Sequence, residues 1–306
     1  MPGQSGLMEK VAAWLGGPRH RVILLAAALF LVPLFMPLAA ALVAFATLLK
    51  GPREGTIAAL AAAGVLGAVT AIQGGAQGLA LALSAVVILG AVVGGASLVG
   101  RYGSLDFAFQ AGTLVLGALA GVFAALPAGR EIAAQVAPEL ARAFGGGGAE
   151  AAQVAELVAG LLFGLAFGGL LISLFVALLL GRWLEGLLRP PPRAGLEFRG
   201  LKAGRLVSLI VSAVFVGALF TEAGGGLGNA AIVFVLAMTL QGFAVTHWLA
   251  GRYTLNRAWL VLVYALVLLP TPLSPFAVMA MAATGYMDNW LGLRRASGGP
   301  PAGTDN

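Results

Sequence analysis

Residues 22–49 read VILLAAALFLVPLFMPLAAALVAFATLL, a run without a single charge. A helix needs about 20 mostly apolar residues to cross a hydrocarbon core of about 30 Å. The run is therefore too long for one upright span, and Pro33 and Pro37 interrupt it. Working outward, further uncharged blocks follow at 56–72, 79–99, 107–126, 157–181, 206–221 and 230–250. The last, 258–287, is again overlong and carries Pro270, Pro272 and Pro275. The blocks are continuous rather than alternating, which opposes a β-barrel. Only 10% of the 306 residues are charged, against about 25% in an ordinary soluble protein. The chain cannot cover a water-facing surface, and a bilayer removes that need. The expected fold is all-α, a polytopic transmembrane bundle of eight hydrophobic blocks. The first block, and on weaker grounds the last, is split by proline.

Charge placement orients the blocks. Lys10, Arg19 and Arg21 precede the first block, and Lys50 and Arg53 follow it. Arg101 follows the third block, and Arg252 and Arg257 lie between the last two. Segment 182–205 holds Arg182, Arg189, Arg193, Arg199, Lys202 and Arg205 against Glu185 and Glu197. Segment 127–156 is acidic on balance, with Glu131, Glu139, Glu150 and Glu156 against Arg130 and Arg142. Lys and Arg mark cytoplasmic loops. The first block must then cross an even number of times, as two short helices joined at Pro37, near 22–36 and 38–49. The expected organisation is a cytoplasmic amphipathic segment 1–21 and a transmembrane unit 22–181 with outer loop 127–156. A basic cytoplasmic loop 182–205, C-terminal helices 206–287 and a polar, disordered tail 288–306 complete it. Within the outer loop, Ile132, Val136, Leu140 and Phe144 recur every fourth residue, as in a surface helix or a lid.

Polar residues within apolar blocks are candidate sites. Gln73, Gln77, Gln110 and Gln241 are the candidate ligand-binding residues. Glu222, His247 and Asp288 could in principle relay protons, although the inferred topology sets Glu222 and His247 about a membrane apart. Gly90/Gly94, Gly117/Gly121 and Gly160/Gly164/Gly168 have the spacing of close helix crossings. The chain has no Cys and only two His, and no catalytic triad, HExxH or phosphate loop is present. The reading is of a non-enzyme with neither metal nor cofactor. Its partners are the bilayer and a small molecule, not nucleic acid.

Glu197-Phe198-Arg199-x-Leu201, Val245-Thr246-His247, Arg257-x-Trp259-Leu260-Val261-x-x-Tyr264, and Asp288 followed by Arg294 together resemble the YybS-type family of bacterial inner-membrane proteins. The resemblance covers the C-terminal third to half of the chain. It departs where relatives often carry a second acid between the Asp and the Arg, since this chain has Gly292 there. Met36-Pro37, a short apolar helix and Lys50-Gly51-Pro52-Arg53-Glu54-Gly55 look like the opening of the S-components of energy-coupling-factor transporters. That likeness implies binding and uptake of a small hydrophilic molecule, with a separate ATPase and coupling subunit. It also implies the bacterial inner membrane, with a cytoplasmic N-terminus. The alternative is a non-transporting membrane scaffold or assembly factor that docks a cytoplasmic partner through 182–205. Because the chain lacks Cys, single thiols test the topology. Gly75→Cys should label from outside and Gly51→Cys only after permeabilisation. Outside labelling at 51 would overturn the split first block.

Overall fold

The computed structural model describes residues 6–74, 76–143, 149–189, 194–222 and 224–294. They form fourteen α-helices, with no strand among the described residues. Two compact units emerge, residues 1–109 with 172–198, and residues 110–171 with 199–306. These boundaries fall within the expected 22–181 and 182–205 segments, whereas 206–287 lies inside the second unit.

The first unit holds α1 (Leu7–Gly16), α2 (Arg19–Phe30), α3 (Met36–Lys50), α4 (Pro52–Gly74) and α5 (Ala76–Tyr102). Its remainder is the C-terminal part of α9 (Leu162–Leu188) and most of α10 (Ala194–Gly200). The helix α3 is its core. Every residue from Ala39 to Leu48 is buried, as an all-round apolar helix requires. Against α3 pack α2, α4 and α5. Gly181 lets α9 approach it closely, since a Cβ there would lie 2.8 Å from that of Ala44. The first block is thus two helices, but the hinge differs from the expected Pro37. It is a 3-10 turn at Pro33–Phe35, and Pro37 sits in the first turn of α3. A proline at that position loses no helical hydrogen bond, because the first N–H groups of a helix are unpaired anyway. Between α3 and α4, Gly51 has φ +97°, a conformation that glycine adopts at little cost. Pro52 then opens α4.

The second unit contains α6 (Leu105–Ala125) from residue 110 onward, α7 (Pro127–Ala143), α8 (Ala149–Gly160) and the start of α9. Its other helices are α11 (Gly204–Ala218), α12 (Gly226–Arg252), α13 (Arg257–Leu268) and α14 (Ser274–Leu291). The axis is α12, 72% buried over its most apolar stretch. It crosses α14 at two glycines. A Cβ on Gly242 would overlap the Met281 carbonyl, and one on Gly285 the Met238 carbonyl. Gly117, Gly121, Gly164 and Gly168 also face α12, against Phe234, Gly226, Asn229 and Leu236. Gly90 and Gly94 of the first unit face open space instead.

Five expected segments take the following form. The block 157–181 begins inside α8, breaks at Leu161, and continues as α9 through Arg182 to Leu188. The basic segment 182–205 is therefore mostly helical rather than a loop. The outer segment 127–156 is covered by α7 and α8, which pack together, while residues 144–148 lie outside the described part. The final block is two packed helices, α13 and α14, separated at 269–273 by the Pro270–Pro272 region. And α14 runs on to Leu291, so Asp288–Leu291 belong to a helix rather than a disordered tail. Five helices are long and apolar enough to cross a membrane, or six if α10 and α11 count as one bent span. Eight full-length spans are not found among the described residues. The proline breaks leave α2, α3 and α13 short, and Asp288 and Asn289 dilute α14. This is the make-up of a multi-pass integral membrane protein.

The break at Leu161 has an identifiable cause. Gly164 N–H donates to Asn229 Oδ1 at 2.7 Å, and Asn229 Nδ2 donates to Gly160 C=O at 2.9 Å. These are the two groups that would otherwise pair with each other in a continuous helix. One side-chain amide has been spliced between them. Asn229→Leu should therefore lower the unfolding midpoint in detergent strongly, by about 2–4 kcal/mol for two orphaned groups. Gly285→Val should cost about 1–3 kcal/mol or more by overpacking, whereas Gly94→Ala should be neutral. Thermal unfolding of the three variants checks this.

Candidate functional site

The linker Leu201–Ala203 between α10 and α11 sheds its helical hydrogen bonds, and buried side chains replace them. Ala203 N–H donates to Gln241 Oε1 at 2.9 Å, and Gly204 N–H to Asn289 Oδ1 at 3.1 Å. Gln110 Nε2 donates to the Lys202 carbonyl at 3.0 Å. Arg294 Nη1 and Nη2 donate to the carbonyls of Arg199 and Leu201 at 2.5 and 2.7 Å. The side chains also bind one another. Gln241 Nε2 reaches Asp288 Oδ2 at 3.2 Å and Asn289 Oδ1 at 2.9 Å. Arg294 clamps the Asp288 carboxylate through Nε and Nη2, the shortest contact being 2.5 Å.

This knot is dry. Gln241 is fully buried and Asp288 is 1% exposed. A charge at such a position is expensive unless paired and fully hydrogen-bonded, and both conditions are met. The chain reaches this geometry through Gly292, which ends α14 at φ +61°. A left-handed cap of this kind turns the chain back, so Arg294 returns to Asp288. Position 292 is thus one where glycine relieves strain. Beside the knot lies a polar cavity of about 360 Å³, lined by Lys202, Gly204, Arg205, Asp288, Asn289, Trp290, Leu291 and Gly292.

The structure therefore gathers Gln110, Gln241, Asp288 and Arg294 from the sequence candidates, with the main chain of Arg199. It adds Asn289, which sequence reasoning missed. An Asn in the last turn of an apolar helix, directly after an Asp, was the available signal. Other candidates sit elsewhere. Glu197 pairs with Arg182 at 3.0 Å, and Arg182 also holds Glu185 at 2.6 Å. Arg189 reaches Glu185 and the Leu49 carbonyl. Phe198 lies 6.0 Å, ring to ring, from Phe175. His247 Nε2 is 2.9 Å from Tyr264 Oη, and Tyr264 stacks on Phe243. Asp288 pairs with Arg294 and His247 meets Tyr264, while Glu222 is exposed. Trp259 is half exposed. Arg257 opens α13, and its side chain lies outside the described part, as do those of Gln73 and Gln77.

Arg294→Ala leaves a buried carboxylate without its counter-charge and removes the partner of two carbonyls. It should destabilise the protein by about 3–5 kcal/mol. Asp288→Leu combined with Arg294→Met should recover part of that loss relative to Arg294→Ala. Thermal unfolding in detergent reads both.

Comparison with family models, with curated proteins and with solved structures finds no match for this chain.

Proposed function

We propose that this integral membrane protein binds a small hydrophilic molecule for uptake, in the manner of an S-component. A separate ATPase and coupling subunit would drive it, in the bacterial inner membrane with the N-terminus cytoplasmic. Kinship with the YybS-type family is part of the same proposal. The observation that carries the reading is a polar cavity at the α10–α11 break, outside the S-component-like segment 22–181 and beside the basic segment expected on the cytoplasmic side, with Lys202 and Arg205 on its wall. Transporters place substrates where helices are discontinuous, because irregular backbone in a membrane is tolerated where it lines a cavity. Gln110 and Gln241, two of the residues singled out as ligand candidates, hold the backbone of this break. They position the site rather than offer their amides to a ligand.

The split first block and the Gly51–Pro52 turn support the S-component likeness further. The scaffold alternative draws on the basic segment 182–205. Its charges Arg182 and Arg189 are spent internally, on Glu185, Glu197 and the Leu49 carbonyl.

Mass spectrometry of compounds released from the purified protein tests the proposal. A stoichiometric polar compound is expected, and Arg205→Ala should reduce its retention about tenfold or more, the worth of one charged hydrogen bond. A blank from protein grown in rich medium, with a specific protein crosslinked to 194–202, would replace this reading with the scaffold.

A further inference from the structure

A second cavity, of about 340 Å³, opens between α11, α12 and α14. Its floor is buried Val211, Met238 and Ala282, and its rim includes exposed Phe215 and Met279. The wall is apolar apart from one feature, a hydroxyl pair in which Ser212 Oγ and Tyr286 Oη lie 2.6 Å apart.

The protons of that pair can be assigned. Ser212 Oγ is 2.8 Å from the Ser208 carbonyl, which can only accept. The single Ser212 proton is committed there. Tyr286 must then donate to Ser212, and its phenolic oxygen keeps acceptor capacity with no proton left to give. The pair stands about 12 Å along α11 from Gly204, at 1.5 Å per residue. In hydrocarbon no water competes for that oxygen.

From this geometry we infer that the groove takes a bilayer-dissolved alcohol or phenol, with its apolar body against α11 and α14 and its hydroxyl donating to Tyr286 Oη. The cavity falls in the size range of small-molecule sites, about 300–1,000 Å³. Its chemistry is theirs too, an apolar lining with a single orienting polar group. An ordinary acyl chain would fill the groove equally well but would gain nothing from the hydroxyl pair. The inference is independent of the polar cavity at the α10–α11 break.

The test uses the full-length protein in nanodiscs and two photoactivatable probes, a diazirine-bearing hexadecanol and its methyl ether. The alcohol should label peptides of α11 and α14 about fivefold more than the ether, the worth of one net hydrogen bond. Tyr286→Phe should abolish the preference. Ser212→Ala should free the Tyr286 proton, and the ether, which can only accept, should then label as well as the alcohol. Equal labelling by both probes in the unaltered protein would mean a nonspecific acyl groove and overturn the inference. So would labelling confined to other helices, or a preference unchanged in Ser212→Ala.

Discussion

A peptide group inside a bilayer has no water to turn to, so wherever a helix breaks, the protein must supply the missing partner itself. Most of the unusual features of this chain answer that constraint. At the α8–α9 break the partner is the amide of Asn229, which accepts from one freed group and donates to the other. At the α10–α11 break five groups of main chain find Gln110, Gln241, Asn289 and Arg294. Arg294 brings a charge, which in turn requires Asp288. The buried ion pair thus follows from the broken backbone. Such a pair is not a net source of stability, but removing one member would strand both the other charge and the linker.

The second constraint is close approach. Between helices in lipid the hydrophobic effect offers little, and packing depends on small residues. In the second unit, glycines on α6, α9 and α14 all meet α12. In the first unit the alanine-rich α3 takes the corresponding central place, with Gly181 of α9 set against it. Each unit therefore has one helix buried along most of its length, and most of the exposed apolar side chains lie on the helices around it.

The apolar blocks were legible because charge exclusion is a local property of sequence. The split of the first block was legible from charge placement, yet its hinge fell at Pro33 rather than Pro37. A proline that opens a helix and one that ends a helix look alike until the flanking turns are known. The basic character of 182–205 was equally plain, but not that Arg182 and Arg189 are consumed by Glu185 and Glu197. The ligand candidates Gln110 and Gln241 were singled out for being polar in apolar surroundings, and both do lie at the α10–α11 break. Asn229 and Asn289 went unnoticed because their meaning depends on backbone groups far away in the chain. No local window contains both halves of such an interaction.

That separation has a consequence in time. Asn229 lies 65 residues beyond Gly164, so the junction of α8 and α9 emerges from the ribosome before its partner exists. At about 5–20 residues per second the delay is several seconds. The Ala203 N–H waits for residue 241, and the Leu201 carbonyl waits for residue 294. The nascent chain must hold these backbone groups at the insertion machinery, or near water, until its last helices arrive. Synthesis runs from the N-terminus, but the second unit is completed from its C-terminal end.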